Sequence, residues 1–300
     1  MKAFFLLLLI LLISTPAIWG QQSFFAPADS LNKKRVTGIS IGLGTTWAGS
    51  MIGLHEIWYK NVEKSSFHTF NDGMNWLQMD KLGHFYANYH FAMNTSQLYQ
   101  WSGVSKNKSI VIGSSIGLGF QTTLELFDGF SSEWGFSWYD MLGNGLGTAS
   151  FAAQEIIWNE QRILPKFSYS PSPYAALRPD VLGSNFQERL LKDYNGQTYW
   201  LSINPSTFFK NSKLPKWACI SIGYSADAKI NGEENSYIST AGLSYTAHRE
   251  WLMSFDIDFS RIPAKRPWVK MVLKQFNALK IPFPALMLSD GKLTGRAFYF

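Results

Sequence analysis

Apolar positions in this chain follow two different rhythms. Up to about residue 160 they run in long stretches poor in charge, and beyond residue 197 they alternate with polar ones. The first apolar run, Phe4 to Ile13 behind Lys2, has the length of a secretory signal core and is too short to cross a bilayer. Ser14 to Gly20 supplies small and breaking residues, so residues 1–20 read as a signal peptide cleaved near Gly20; an uncleaved anchor is the competing reading. Four further segments follow: Val36–Tyr59, Asp80–Trp101, Ser109–Asp128 and Ser137–Asn159. Each is roughly 20 residues, the length that spans hydrocarbon as a helix. Gly38/Gly42, Gly49/Gly53, Gly113/Gly117 and Gly143/Gly147 are spaced by four, which lets helices approach closely. A buried strand pair competes for the first segment. The connectors show no positive-inside bias: Lys60 and Lys64 lie in one, Lys106 and Lys108 in the next, and the third has only Glu133.

Residues 161–197 carry Pro165, Pro171, Pro173 and Pro179 and read as a linker. In residues 198–300, Trp251, Met253, Phe255, Ile257 and Phe259 alternate with Leu252, Ser254, Asp256, Asp258 and Ser260, a strand with one wet face. Pro267–Ile281 is a basic amphipathic helix with Trp268, Met271, Val272, Phe276 and Leu279 on one side. It either lies on the sheet or binds a membrane surface. Phe298 and the terminal Phe300 resemble an outer-membrane assembly signal, but about five strands are too few for a single-chain barrel. The expected fold is therefore α+β: a four-helix, glycine-rich, membrane-type bundle over 36–160, then a small antiparallel sheet with one amphipathic helix.

Composition sharpens this picture. Aromatic and charged residues are each 16% of the 300 residues, an excess of the first and a shortage of the second. The +6 net charge is scattered, so a nucleic-acid partner is not expected. The single cysteine, Cys219, rules out an intrachain disulfide and a cysteine metal site, and none near residue 20 offers a lipid anchor. No HExxH, GxSxG, phosphate-loop or dinucleotide glycine pattern occurs.

Chemistry concentrates in polar pairs on the helical segments: Asp80 with Lys81 and His84, Glu125 with Asp128, and Asp140 with Asn144. Ionisable groups inside a bundle pair with one another or line a functional cavity. Three readings stay open. The set binds a divalent metal, with Asp80, Asp128 and Asp140 as ligands; or it is an acid/base site with His84 and Glu125 as the catalytic pair; or it is a salt-bridge network tied by Lys81. Each residue also has a plainer role. Asp80 would cap its helix, Asp140 would complete a capping box with Ser137, Asp128 would sit exposed before Gly129, and His84 would be a core histidine. Glu125, in an apolar segment, is hardest to explain this way.

The order DKLGHF, ELFDGFSSEWGFSWYD and NGLG resembles the YfiM-type family of periplasmic proteins of unknown function, and more distantly the VanZ-like membrane proteins. The resemblance covers residues 36–160 and implies a compact, membrane-associated helical domain with the cluster Asp80, Lys81, His84, Glu125, Asp128, Asp140 and Asn144. The expected protein is an exported, membrane-associated component of a bacterial envelope. Membrane lipid, envelope proteins and cell-wall glycan are its candidate partners, and a divalent metal its candidate cofactor. A hydrolase acting on a lipid or cell-wall precursor is the alternative.

Overall fold

The computed structural model describes residues 24–60, 62–209, 211 and 213–300. The signal-like segment 1–20 and its cleavage point lie outside them. The helical half comprises α1 (Lys33–Leu54), α2 (Met79–Trp101), α3 (Lys106–Gly129) and α4 (Trp138–Ile157). Short helices α5 (Pro179–Leu182), α6 (Phe186–Lys192) and α7 (Pro205–Phe208) and the amphipathic α8 (Pro267–Gln275) complete the set among the described residues. Strands are β1 (Ile163–Tyr169), β2 (Gln197–Ile203), β3 (Ala218–Asp227), β4 (Ser236–Ile238), β5 (Ser244–Thr246), β6 (His248–Ile257), β7 (Phe283–Ser289) and β8 (Lys292–Tyr299).

Helix α2 is the axis of the helical half. The expected glycine spacing does its work on α3 and α4: a Cβ on Gly113 would sit 2.4 Å from Ala92 O, and one on Gly147 would sit 2.2 Å from Phe85 O. Backbones approach there too closely for any side chain. Behind that contact Tyr89, Ala92, Met93, Ile110 and Phe151 form a buried cluster. The glycines of α1 behave otherwise. Gly38, Gly42, Gly44, Gly49 and Gly53 have nothing within 4 Å of a built Cβ, so close packing does not explain them. Helix α1 is instead held at its ends. Asn32 caps it, Arg35 donates to Trp101 O, and a π-turn (His55–Tyr59) delivers Tyr59 to α3. Of the four helices, α3 is long and apolar enough to cross a membrane by length and composition.

A strained turn starts α2. Trp76, Leu77 and Gln78 have φ of 52°, 52° and 64°, a region bulky L-residues avoid. The sheet holds them there: Trp76 N donates to Gly232 O, Tyr224 Oη to Leu77 O, and Arg249 to Gln78 Oε1. The next residues of α2 are Asp80 and Lys81.

Six antiparallel strands form one sheet in the order β1-β2-β3-β6-β7-β8, with β4–β5 as a separate hairpin. The stretch 161–197, expected as a linker, contributes β1, paired with β2 from Ile163↔Ile203 to Tyr169↔Gln197. The sheet curls. Thr198 on β2 meets Tyr299 on β8 at 3.2 Å, and Phe167 on β1 bridges Leu279 ahead of β7.

The alternation of β6 is present, with its faces reversed. Trp251, Met253 and Phe255 are exposed by half or more, whereas Ser254, Asp256 and Asp258 are buried. Polar residues turn inward because they find partners there. Lys166 on β1 pairs with Asp256 at 2.8 Å, and Ser202 bonds both Ser221 and Asp256. Helix α8 likewise buries none of its residues, so it does not lie with its apolar side on the sheet. Between α2 and the outer face of the sheet is a cavity of about 550 Å³ lined by Leu82, Phe85, Tyr86, Tyr199, Ile222 and Trp251 among others.

Candidate functional site

The polar side of α2 faces α3 and α4. Spacing of four puts Asp80 and His84 one turn apart, and both are partly open to solvent. Around them the structure assembles the residues singled out from the sequence. Lys81 Nζ contacts Asp80 Oδ2 at 3.0 Å and Asp140 Oδ1 at 2.8 Å, and it also bonds Asp72. His84 Nε2 lies 3.9 Å from Asp80 Oδ1, 3.7 Å from Glu125 Oε1 and 3.8 Å from Asp140 Oδ1. A direct hydrogen bond needs roughly 2.7–3.2 Å, so the ring nitrogen is surrounded by carboxylate oxygens without being bonded to any of them.

Each group is held from behind. His84 Nδ1 meets Asn144 Oδ1 at 3.2 Å; that oxygen accepts from Nδ1–H and turns Nε2 toward the carboxylates. Tyr194 Oη donates to Asp80 Oδ1 at 2.6 Å. Ser137 Oγ accepts from Asp140 N at 3.0 Å, which is the expected helix cap. The reciprocal half of a capping box would bring the Asp140 carboxylate back to Ser137 N. Here Glu125 Oε2 takes that amide at 3.2 Å, and Asp140 is free for Lys81 and His84. Glu125 Oε1 has no hydrogen-bond partner, although its side chain is only 1% exposed.

Burial pushes the Glu125 carboxyl up to about 8, with Asp140 and Asp128 adding to the rise and His84 opposing it. Burial, then the charge of Asp80, drives Asp140 up as well. Asp80 goes the other way: burial would raise it, but Lys81, His84 and the Tyr194 hydroxyl hold it low. The site thus gathers acid in excess of base, and its buried carboxyls favour either protons or a cation.

Two expectations change. Asp80 is not a cap, since Gln78 occupies that position and makes no side-chain capping bond. Asp128 stands apart from the group around His84 Nε2: it accepts from Tyr59 Oη at 2.6 Å, and burial raises it to about 6. The group whose ligand atoms all fall within 4.8 Å is Asp80, His84 and Asp140, with Glu125 Oε1 beside the imidazole. Sequence reasoning missed Asp72, in the connector ahead of α2, and Tyr194, inside the supposed linker. Tyr194 is 114 residues from Asp80, and no local pattern joins them.

A family model described as "Predicted periplasmic lipoprotein (DUF2279)" matches residues 68–155. That stretch contains Asp72, Asp80, Lys81, His84, Glu125, Asp128, Asp140 and Asn144, and it ends before Tyr194 and the sheet. No curated protein and no solved structure matches the chain. The one cysteine, Cys219, is buried on β3. The match does not support the YfiM or VanZ names; over residues 68–155 the chain is similar to an uncharacterised family of exported envelope proteins.

Proposed function

We propose that this envelope protein carries a divalent-cation centre in its helical half. His84 Nε2, Asp80, Glu125 and Asp140 are its ligands, and Asn144, Tyr194, Ser137 and Lys81 hold them. The observation that carries this is the set of three carboxylate oxygens at 3.7–3.9 Å around one imidazole nitrogen. Metal bonds of roughly 2.0–2.2 Å place neighbouring ligand atoms roughly 3–3.5 Å apart, so a small inward movement closes this set on an ion. One imidazole with carboxylates suits Zn²⁺ or Mn²⁺. The orphaned Oε1 of Glu125 gains a partner by the same step. Metal analysis of the purified full chain, followed by titration of Zn²⁺ and Mn²⁺ after chelation, tests it. One ion per chain, lost in Glu125→Gln and His84→Ala, is expected; no ion and no binding would leave Lys81 as the tie of a purely structural network.

A second reading, hydrolysis of a lipid or cell-wall precursor, is favoured by the Glu125 carboxyl lying near 8, where a proton carrier works at neutral pH. It requires turnover by the metal-free chain that Glu125→Gln abolishes.

A further inference from the structure

The sheet is built the wrong way round for water. Its inner face carries an apolar cluster, Trp200, Leu252, Ala285 and Met287, and beside it Lys166, Ser202, Ser221, Ser254 and Asp256, all buried and bonded to one another or to backbone. Its outer face carries Ile220, Ile222, Trp251, Met253, Phe255 and Leu286, between 42% and 65% exposed. The register makes that face continuous. Leu201 sits beside Ile222, Ile222 beside Met253, and Met253 beside Leu286, so one apolar row crosses four strands. The row on one side runs Tyr199, Tyr224, Trp251, Leu288, Leu293, its first three residues lining the cavity under α2, and on the other side Ile203, Ile220 and Phe255 follow. No charged residue interrupts these rows.

Two further observations say what covers the face. The central strands β3 and β6 are each 10 residues long, and roughly 9–11 residues carry a tilted strand through bilayer hydrocarbon. Helix α8, between the end of β6 and the start of β7, holds Trp268, Met271 and Val272, with Phe276 just after it, exposed at 43–47%. Exposed Lys265, Arg266 and Lys270 stand around it. Apolar and aromatic residues beside an uncompensated basic group match the boundary between acyl chains and anionic headgroups. A buried polar network on one face and an exposed apolar face on the other also fit strands that face lipid.

We infer that the part of the outer face beyond the α2 cavity, Ile220, Met253, Phe255, Leu286 and Leu288, lies against the acyl chains of an anionic lipid bilayer, with α8 at the headgroup boundary. The lipid contact is thus carried by the β half and is independent of a cation at His84. The test uses the full chain with vesicles of phosphatidylglycerol and phosphatidylcholine. Met253→Cys is labelled with an environment-sensitive dye, since native Cys219 is only 2% exposed. Its emission should shift to the blue on adding vesicles and be quenched by brominated lipid. Met253→Glu with Phe255→Glu should lower vesicle flotation by about tenfold or more with unchanged circular dichroism, and Ile52→Glu on α1 should not. Three results would overturn the inference: an unquenched dye at 253, flotation lost with Ile52→Glu alone, or a dimer in lipid-free buffer that already shields position 253, which would mean a second copy covers the face.

Discussion

Oε1 of Glu125 stands 3.7 Å from Nε2 of His84, and neither atom is hydrogen-bonded to the other. Both are aimed by other groups, Glu125 by the Ser137 amide and His84 by Asn144. Two side chains fixed from behind and facing a common space are arranged for a third body, which is the basis of the cation proposal.

Binding to the folded state alone stabilises by about 2.7 kcal/mol at a ligand concentration about 100 times the Kd. Urea unfolding with chelator and with Zn²⁺ or Mn²⁺ should show that gain in the native chain. Glu125→Gln should lose it and Asp128→Asn should keep it, because Asp128 is committed to Tyr59. Equal loss in both variants would put Asp128 back among the ligands.

Lys81 is the one lysine bonded to Asp72, Asp80 and Asp140 together, and its side chain is 12% exposed. Lys81→Met leaves that acid uncompensated and should destabilise the fold by about 3 kcal/mol. Lys60→Met removes an exposed pair with Glu56 and should leave the unfolding midpoint unchanged.

Glycines of identical spacing should respond with opposite sign. Gly147→Ala drives a methyl into Phe85 O and should cost about 2 kcal/mol by separating α4 from α2. Gly42→Ala meets nothing within 4 Å and should stabilise by about 0.8 kcal/mol through helix propensity. Thermal melts of the two variants decide it, and a destabilising Gly42→Ala would show that α1 packs against a surface absent from the isolated chain.

His90 gives a pH dependence. Burial lowers it to about 4, and its Nε2–H donates to Pro165 O at 2.8 Å. The folded chain therefore takes up this proton later than the unfolded chain, whose histidine titrates near 6.5. Stability from the neutral ring is complete above about 6.5 and is lost as pH falls toward 4, a change of about 3 kcal/mol. His90→Gln keeps a donor for Pro165 without titrating. The difference in unfolding free energy between native and variant chains should shift in the variant's favour between pH 7 and pH 4.5; a constant difference would mean His90 protonates freely in the fold.

Local signals were enough for the helices. Charge-poor runs ended by Gly103 and Gly129, and a Ser137 cap, place α2, α3 and α4 within a few residues of their observed bounds. The candidate site was legible as residues on matching faces, since Asp80 and His84 share a turn and Glu125 is too polar for its surroundings. Asp72 and Tyr194 were not, because a turn residue and a tyrosine in a proline-rich stretch carry no local mark of a contact made across the fold.

By itself the sequence determined that the helical half ends near residue 160 and that β6 alternates, because periods of 3.6 and 2 are written in neighbouring residues. Tertiary structure alone decided which β6 face is buried. Alternation is the same whether apolar side chains point in or out. What settled it is that Lys166, Ser202 and Ser221 meet Asp256 and one another inside the curled sheet, leaving Trp251, Met253 and Phe255 on the outside. The same holds for the polar centre: helix pitch set Asp80 and His84 side by side, and only the docking of α3 and α4 on α2 brought Glu125 and Asp140 to them.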